Sequence, residues 1–157
     1  MNAKRFKRLS RFLNWYPPFL GAGIRIKSTS EDFTQFVVQM KSRWYNRNLF
    51  GTHFGGSLYA MCDPFFVFIM IANMGKEYII WDKSAVIRFR KPGKGTMTVV
   101  FEIPKEKIES IKEEMQHKTK DTFWFTAEVK NEAGEVVAEV EKEIYVRKKD
   151  TDRSKKS

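Results

Sequence analysis

The sequence predicts an α+β domain in which one antiparallel sheet of about six strands wraps a single long buried helix. Three observations carry this expectation. Six segments alternate apolar and polar residues with the period of a strand, so each offers one face to a core and one to water. Residues 58–72 are apolar nearly all round, as a helix must be when it is enclosed on most sides. The segments run strand, strand, helix, strand, strand, helix, strand, strand, an order that short turns can fold into antiparallel neighbours.

Taken in order, residues 1–19 form a basic N-terminal helical segment. Phe6, Leu9, Leu13 and Tyr16 fall at helical spacing, and Pro17-Pro18 ends the helix. The stripe is expected to pack on the domain; a basic amphipathic helix can also lie on an anionic membrane. Residues 23–28 and 33–41 read as strands, with Phe36, Val38 and Met40 on one face of the second. Residues 43–52 are a loop. The apolar helix is opened by Gly55-Gly56-Ser57 and closed by Asn73-Met74-Gly75. A third strand follows at Ala85, Ile87 and Phe89, then a turn at Pro92-Gly93-Lys94-Gly95. Met97, Val99, Phe101 and Ile103 form the inward face of a fourth strand. A surface helix over 105–118 carries Ile108, Ile111 and Met115 as its stripe. Strands 122–130 and 135–146 form a hairpin around residues 131–134. One domain over 20–147 results, followed by a disordered basic tail at 148–157.

Composition excludes several classes. Of the 157 residues 15% are aromatic, too many for a disordered chain. One cysteine and two histidines cannot build a disulfide framework or a Cys/His zinc site, and no metal is expected. The net charge of +10 invites a nucleic-acid reading, but the charge is terminal. Residues 1–11 hold five basic and no acidic groups, and 147–157 hold six against two. Between them 18 basic groups face 17 acidic ones, so no specific nucleic-acid partner is expected. No unbroken apolar run opens the chain, which makes a cytoplasmic protein the default. Asp63 and Pro64 interrupt the apolar helix, so no transmembrane segment is read there.

Two stretches carry a family resemblance. Residues 48–63, Asn-Leu-Phe-Gly-Thr-His-Phe-Gly-Gly-Ser-Leu-Tyr-Ala-Met-Cys-Asp, place six residues between Gly55-Gly56 and Asp63. Residues 85–96 supply a strand and a Pro-Gly turn. Together they resemble the hotdog-fold superfamily, and within it the phenylacetate-pathway (PaaI-like) acyl-CoA thioesterases and their relatives of unknown function. The resemblance implies hydrolysis of a small-molecule acyl thioester, with the coenzyme A moiety part of the substrate and no separate cofactor. It also implies a site shared between the subunits of a homodimer, a tetramer being compatible as well. The alternative is a non-catalytic hotdog protein that binds an acyl or aromatic ligand or only assembles with itself. Three positions depart from the family pattern. Phe54 stands where the family has His, with His53 one place earlier; Pro64 follows Asp63; and Lys94-Gly95-Thr96 lacks an acidic residue.

The candidate catalytic residues are Asp63, Gly55 and Gly56. Glycines at a helix entry let a carbonyl approach free backbone N–H groups, as an oxyanion requires, though they also suit a tight turn. Asp63 is the only charge between His53 and Lys76, and burial would raise its pKa toward that of a general base. It can equally cap a helix half starting at Pro64. Gly55 and Asp63 stand about 12 Å apart along one helix, so if both act on one carbonyl they come from different subunits. Asn48, His53 and Phe54 are candidate ligand-binding residues. Arg88, Arg90, Lys91 and Lys94 are candidate phosphate contacts, or else a solvated strand edge. Cys62, on the apolar helix, reads as inert core.

Overall fold

The protein is described by a computed structural model over residues 11–149. The expected stripe residues Phe6 and Leu9, and residues 150–157 of the expected tail, lie outside that range. The fold is a hotdog. Its elements are α1 (Pro17–Ala22), β1 (Ile24–Thr29), β2 (Gln35–Lys41), α2 (Gly55–Ala60) and α3 (Phe65–Met74). They continue as β3 (Tyr78–Phe89), β4 (Thr96–Glu102), α4 (Lys105–Gln116), β5 (Lys120–Lys130) and β6 (Val136–Lys148). The six strands form one sheet in the order β1-β2-β4-β5-β6-β3, antiparallel throughout.

Inward faces follow the alternation in the sequence. Phe36, Val38 and Met40 on β2 pair in register with Phe101, Val99 and Met97 on β4, and all six are buried. The central helix lies on this face in two segments, α2 and α3, parted at residues 61–64. Proline at 64 supplies no N–H, and the second segment starts directly after it. Phe65 is the hub: its ring lies 5.0 Å from that of Phe101 and 5.6 Å from that of Phe36. The stretch Gly55–Met74 is long and apolar enough to cross a membrane by composition. Here Phe65, Phe66, Ile69, Met70 and Met74 are buried in the sheet's core instead. Helix α4 covers part of α3 with Ile108, Ile111 and Met115, while Ile71 stays exposed.

Three local features depart from the sequence reading. Strand β3 begins seven residues earlier than the third predicted strand, because a bulge between Asp82 and Ser84 hides its alternation. The predicted 33–41 strand starts at Gln35. Phe33 precedes it with φ 56°, its turn held by Ser30 Oγ and Asp32 Oδ1 accepting from the Thr34 N–H. In the N-terminal segment Leu13 and Phe19 are buried, but Tyr16, expected on the packed stripe, is exposed with Phe12 and Trp15. The Asn14 side chain anchors the segment by accepting from the Ile26 N–H at 2.7 Å.

Asn46 is the main polar staple of this end of the fold. Buried, it donates to Ala22 O at 2.9 Å and Lys41 O at 2.8 Å, and accepts from the Arg43 N–H at 2.7 Å. Gly23, at φ +75°, leaves room for it: a Cβ there would stand 2.7 Å from Asn46 Nδ2. Three such bonds at about 1 kcal/mol each predict a loss of about 2–3 kcal/mol for Asn46→Ala, measurable as a lower urea midpoint.

Candidate functional site

A cleft of about 440 Å³ opens beside the start of α2. Its walls include His53, Gly55 and Leu58 from the loop and helix, and Phe89, Arg90 and Lys91 from the end of β3. The loop that delivers them is built by Asn48. Its Oδ1 accepts from the Phe50 and Thr52 N–H groups at 2.9 and 3.1 Å, and its Nδ2 donates to Thr52 Oγ1 at 2.9 Å. Both polar atoms of Asn48 are thus engaged in shaping the turn, in which Gly51 takes φ +73°.

His53, only 3% exposed, joins this loop to the turn after β3. Its N–H donates to Gly93 O at 2.9 Å and its ring Nε2 meets Gly95 O at 2.9 Å, which requires the proton on Nε2. Nδ1 is then an acceptor, and it is buried without a partner among the described residues. Gly93 permits the clamp: a Cβ there would lie 3.4 Å from His53 Cβ.

Gly55 faces the cleft and Phe89 stands over it, 3.2 Å from where a Cβ would be. The N–H groups of Gly55 and Gly56 have no acceptor among the described residues, since the first helical bonds start at Ser57 and Leu58, donating to Phe54 O. At Gly56 a Cβ would stand 2.4 Å from the ring of Phe54, so that exposed side chain would have to move. Phe54 itself is exposed and does not line the cleft.

The expected phosphate contacts divide. Arg88 pairs with Glu141, Arg90 with Glu139 at 2.7 Å and Lys91 with Glu135 at 2.6 Å, at and just beyond the end of the β3–β6 ladder. Only Arg90 and Lys91 border the cleft; Arg88 and Lys94 do not. Lys94 makes no ion pair among the described residues.

Asp63 lies elsewhere. The expectation that it is buried is corrected: its side chain is 53% exposed in the protomer, because the helix breaks at this position and turns the residue outward. It does not line the Gly55 cleft. Its Oδ1 receives Lys142 Nζ at 3.2 Å. Lys142 is the residue that sequence reasoning missed. Its side chain is 0% exposed, and its Nζ also stands 3.0 Å from Asp82 Oδ1 and 5.3 Å from the centroid of the Tyr59 ring. Burial lowers the hold of Lys142 on its proton, but Asp82, with Asp63 beside it, outweighs this and lifts its pKa above the ordinary lysine value. Desolvation falls on Asp82, whose carboxyl is held above the usual range despite the Lys142 ammonium 3.0 Å away. Cys62 next to Asp63 is buried and its thiol is pushed up to about 12, as an inert core cysteine requires. The missed signal was available. Ala138, Val140, Ile144 and Val146 form the buried inward face of β6, and Lys142 is the charged residue set among them.

Among curated proteins, none matches the chain significantly. Solved structures do. A Pseudomonas aeruginosa protein of unknown function, PA5026, described as a probable thioesterase, superposes with a TM-score of 0.81 at 21% identity, covering 91% of this chain and 96% of that one. The Chlorobaculum tepidum protein OLEI01261, of unknown function, gives 0.74 at 18% identity, with 91% and 94% covered. The E. coli PaaI protein of the phenylacetic acid degradation operon gives 0.60 at 20% identity, with 91% and 97% covered. At these identities the likeness is one of fold. The family described as Domain of unknown function (DUF4442) matches residues 4–146, and the chain belongs to that family.

Proposed function

We propose that this protein is an acyl-CoA thioesterase that works as a homodimer, with Gly55 of one copy and Asp63 of the other meeting on one thioester. The observation that carries the reading is the pairing of two half-sites that one protomer keeps apart. Unpartnered Gly55 and Gly56 N–H groups open on a cleft, while an exposed Asp63 stands outside it, past the end of α2. The amides suit an oxyanion and the carboxylate suits activation of water. Lys142 engages Oδ1 alone, which fixes the carboxylate while leaving Oδ2 to take a proton. Arg90 and Lys91 at the mouth would meet the phosphates of coenzyme A by exchanging partners with Glu139 and Glu135.

Two surfaces support the dimer. Strand β3 is a twelve-residue edge with Trp81, Val86 and Phe89 exposed, a combination soluble monomers avoid. The helix face with Ile71 is not fully covered by α4. Sedimentation equilibrium at micromolar concentration should therefore return a dimer or a tetramer, and a panel of acyl-CoA esters should be hydrolysed. A dimer that hydrolyses none of them would favour the non-catalytic reading, which the glutamate pairing of Arg88, Arg90 and Lys91 already suits.

A further inference from the structure

The outer face of the β1–β2 hairpin carries charge that nothing balances. Arg25 and Lys27 on β1 and Lys41 on β2 are exposed, on the side opposite buried Ile24, Ile26 and Met40, and exposed Arg43 follows two residues after Lys41. With Leu20 and Tyr45 these four line a cavity of about 360 Å³. None of the four makes an ion pair among the described residues. At the other end of the sheet Lys83, Arg88, Arg90 and Lys91 each meet a glutamate. Between residues 11 and 47 six basic groups face only Glu31 and Asp32, and Asp32 is taken by Lys105. The first ten residues add four more basic groups and no acidic ones.

The rim of this cavity is apolar. Trp44 is 88% exposed, its ring edge-on to that of Tyr45 with centroids 5.6 Å apart, and Tyr45 reaches the cavity. Leu20 also reaches the cavity and is exposed, with exposed Tyr16 one helical turn before it. The frame beneath is fixed, since Asn46 ties Ala22, Lys41 and Arg43 together.

We propose that this face docks on the surface of an anionic membrane. Cations at the centre reach lipid phosphates, and a border of Trp, Tyr and Leu sits at headgroup depth, where amphipathic rings are favoured. A soluble phosphate would use the cations and leave the rim unused. A second copy on a two-fold axis would set four unbalanced cations against four. A single strand of nucleic acid needs stacked ring platforms, and the perpendicular Trp44 and Tyr45 rings do not form one. The proposal is independent of the thioesterase reading.

The test is co-sedimentation of the full chain with two kinds of vesicle, phosphatidylcholine alone and phosphatidylcholine mixed equally with phosphatidylglycerol. The chain should bind the second kind selectively, and less at high salt. Lys27→Gln with Lys41→Gln should weaken that binding about twenty-five-fold, each cation near the surface contributing about fivefold. Both positions are exposed, so an unchanged melting temperature should accompany the loss. Trp44→Ala should weaken binding further at high salt, where the apolar rim carries what remains. Three results would overturn the proposal. They are equal binding to both vesicles, wild-type binding by the double variant, and a single-stranded oligonucleotide held more tightly than the vesicles through the same lysines.

Discussion

Asp63→Asn should lower acyl-CoA hydrolysis by about 10²–10⁴-fold, the range of a lost general base, while hardly moving the melting temperature. Asparagine keeps the size of the side chain and can still accept from Lys142 through its amide oxygen, but it cannot take a proton from water. Because Asp63 is half exposed, the fold does not depend on its charge. A structural Asp63 gives the opposite pattern, with activity unaltered and stability changed. Reading rate and melting curve on the same preparation separates the two.

The second large effect is on stability. Lys142→Met should cost about 3 kcal/mol, the lower end for breaking a buried ion pair, because Asp82 loses its cation. For a chain of this size that is a fall of about 6–12 °C in Tm. The pH dependence follows from the shifts. Lys142 has a raised pKa in the folded state, so its contribution is complete below the ordinary lysine value and is lost as pH rises through the folded one. Asp82 is also raised, so the native state takes up its proton before the unfolded chain does. Without Lys142 that carboxyl has less reason to ionise, and the variant should regain stability on acidification from neutral pH. Lys142→Met with Asp82→Leu should recover much of the loss, since a well-packed apolar pair can match a buried ionic one. Equal melting curves for wild type and Lys142→Met at neutral pH would show that the cluster is not structurally coupled.

The sheet was legible because its pattern is local. Phe36, Val38 and Met40, and Met97, Val99 and Phe101, alternate without interruption, and the structure buries all six. Residues 78–84 were not legible as strand. Ile79, Ile80 and Trp81 do not alternate, and the bulge between Asp82 and Ser84 shifts the register that follows. The Asp63 environment was misread for a related reason. Periodicity describes a continuous helix, whereas Pro64 divides this one and swings the carboxylate outward. Its partner Lys142 lies 79 residues away on β6, and only the sheet brings the two together. Asn48 and His53, expected as ligand-binding residues, line the cleft. Their polar atoms mostly build the loop and the turn, a use that no spacing rule distinguishes from ligand contact.

The central claim, that one site needs two copies of the chain, is tested most directly by mixing two inactive variants. Asp63→Asn lacks the carboxylate. Gly55→Val fills the cleft side of α2, where even a Cβ would stand 3.2 Å from Phe89. Each homodimer should be inactive in acyl-CoA hydrolysis. After subunit exchange, a mixed dimer holds one site with an intact Gly55 from one copy and an intact Asp63 from the other. Activity should then return to about a quarter of the wild-type value, as random pairing across a two-fold axis requires. Subunits that exchange freely and stay inactive would contradict the shared site.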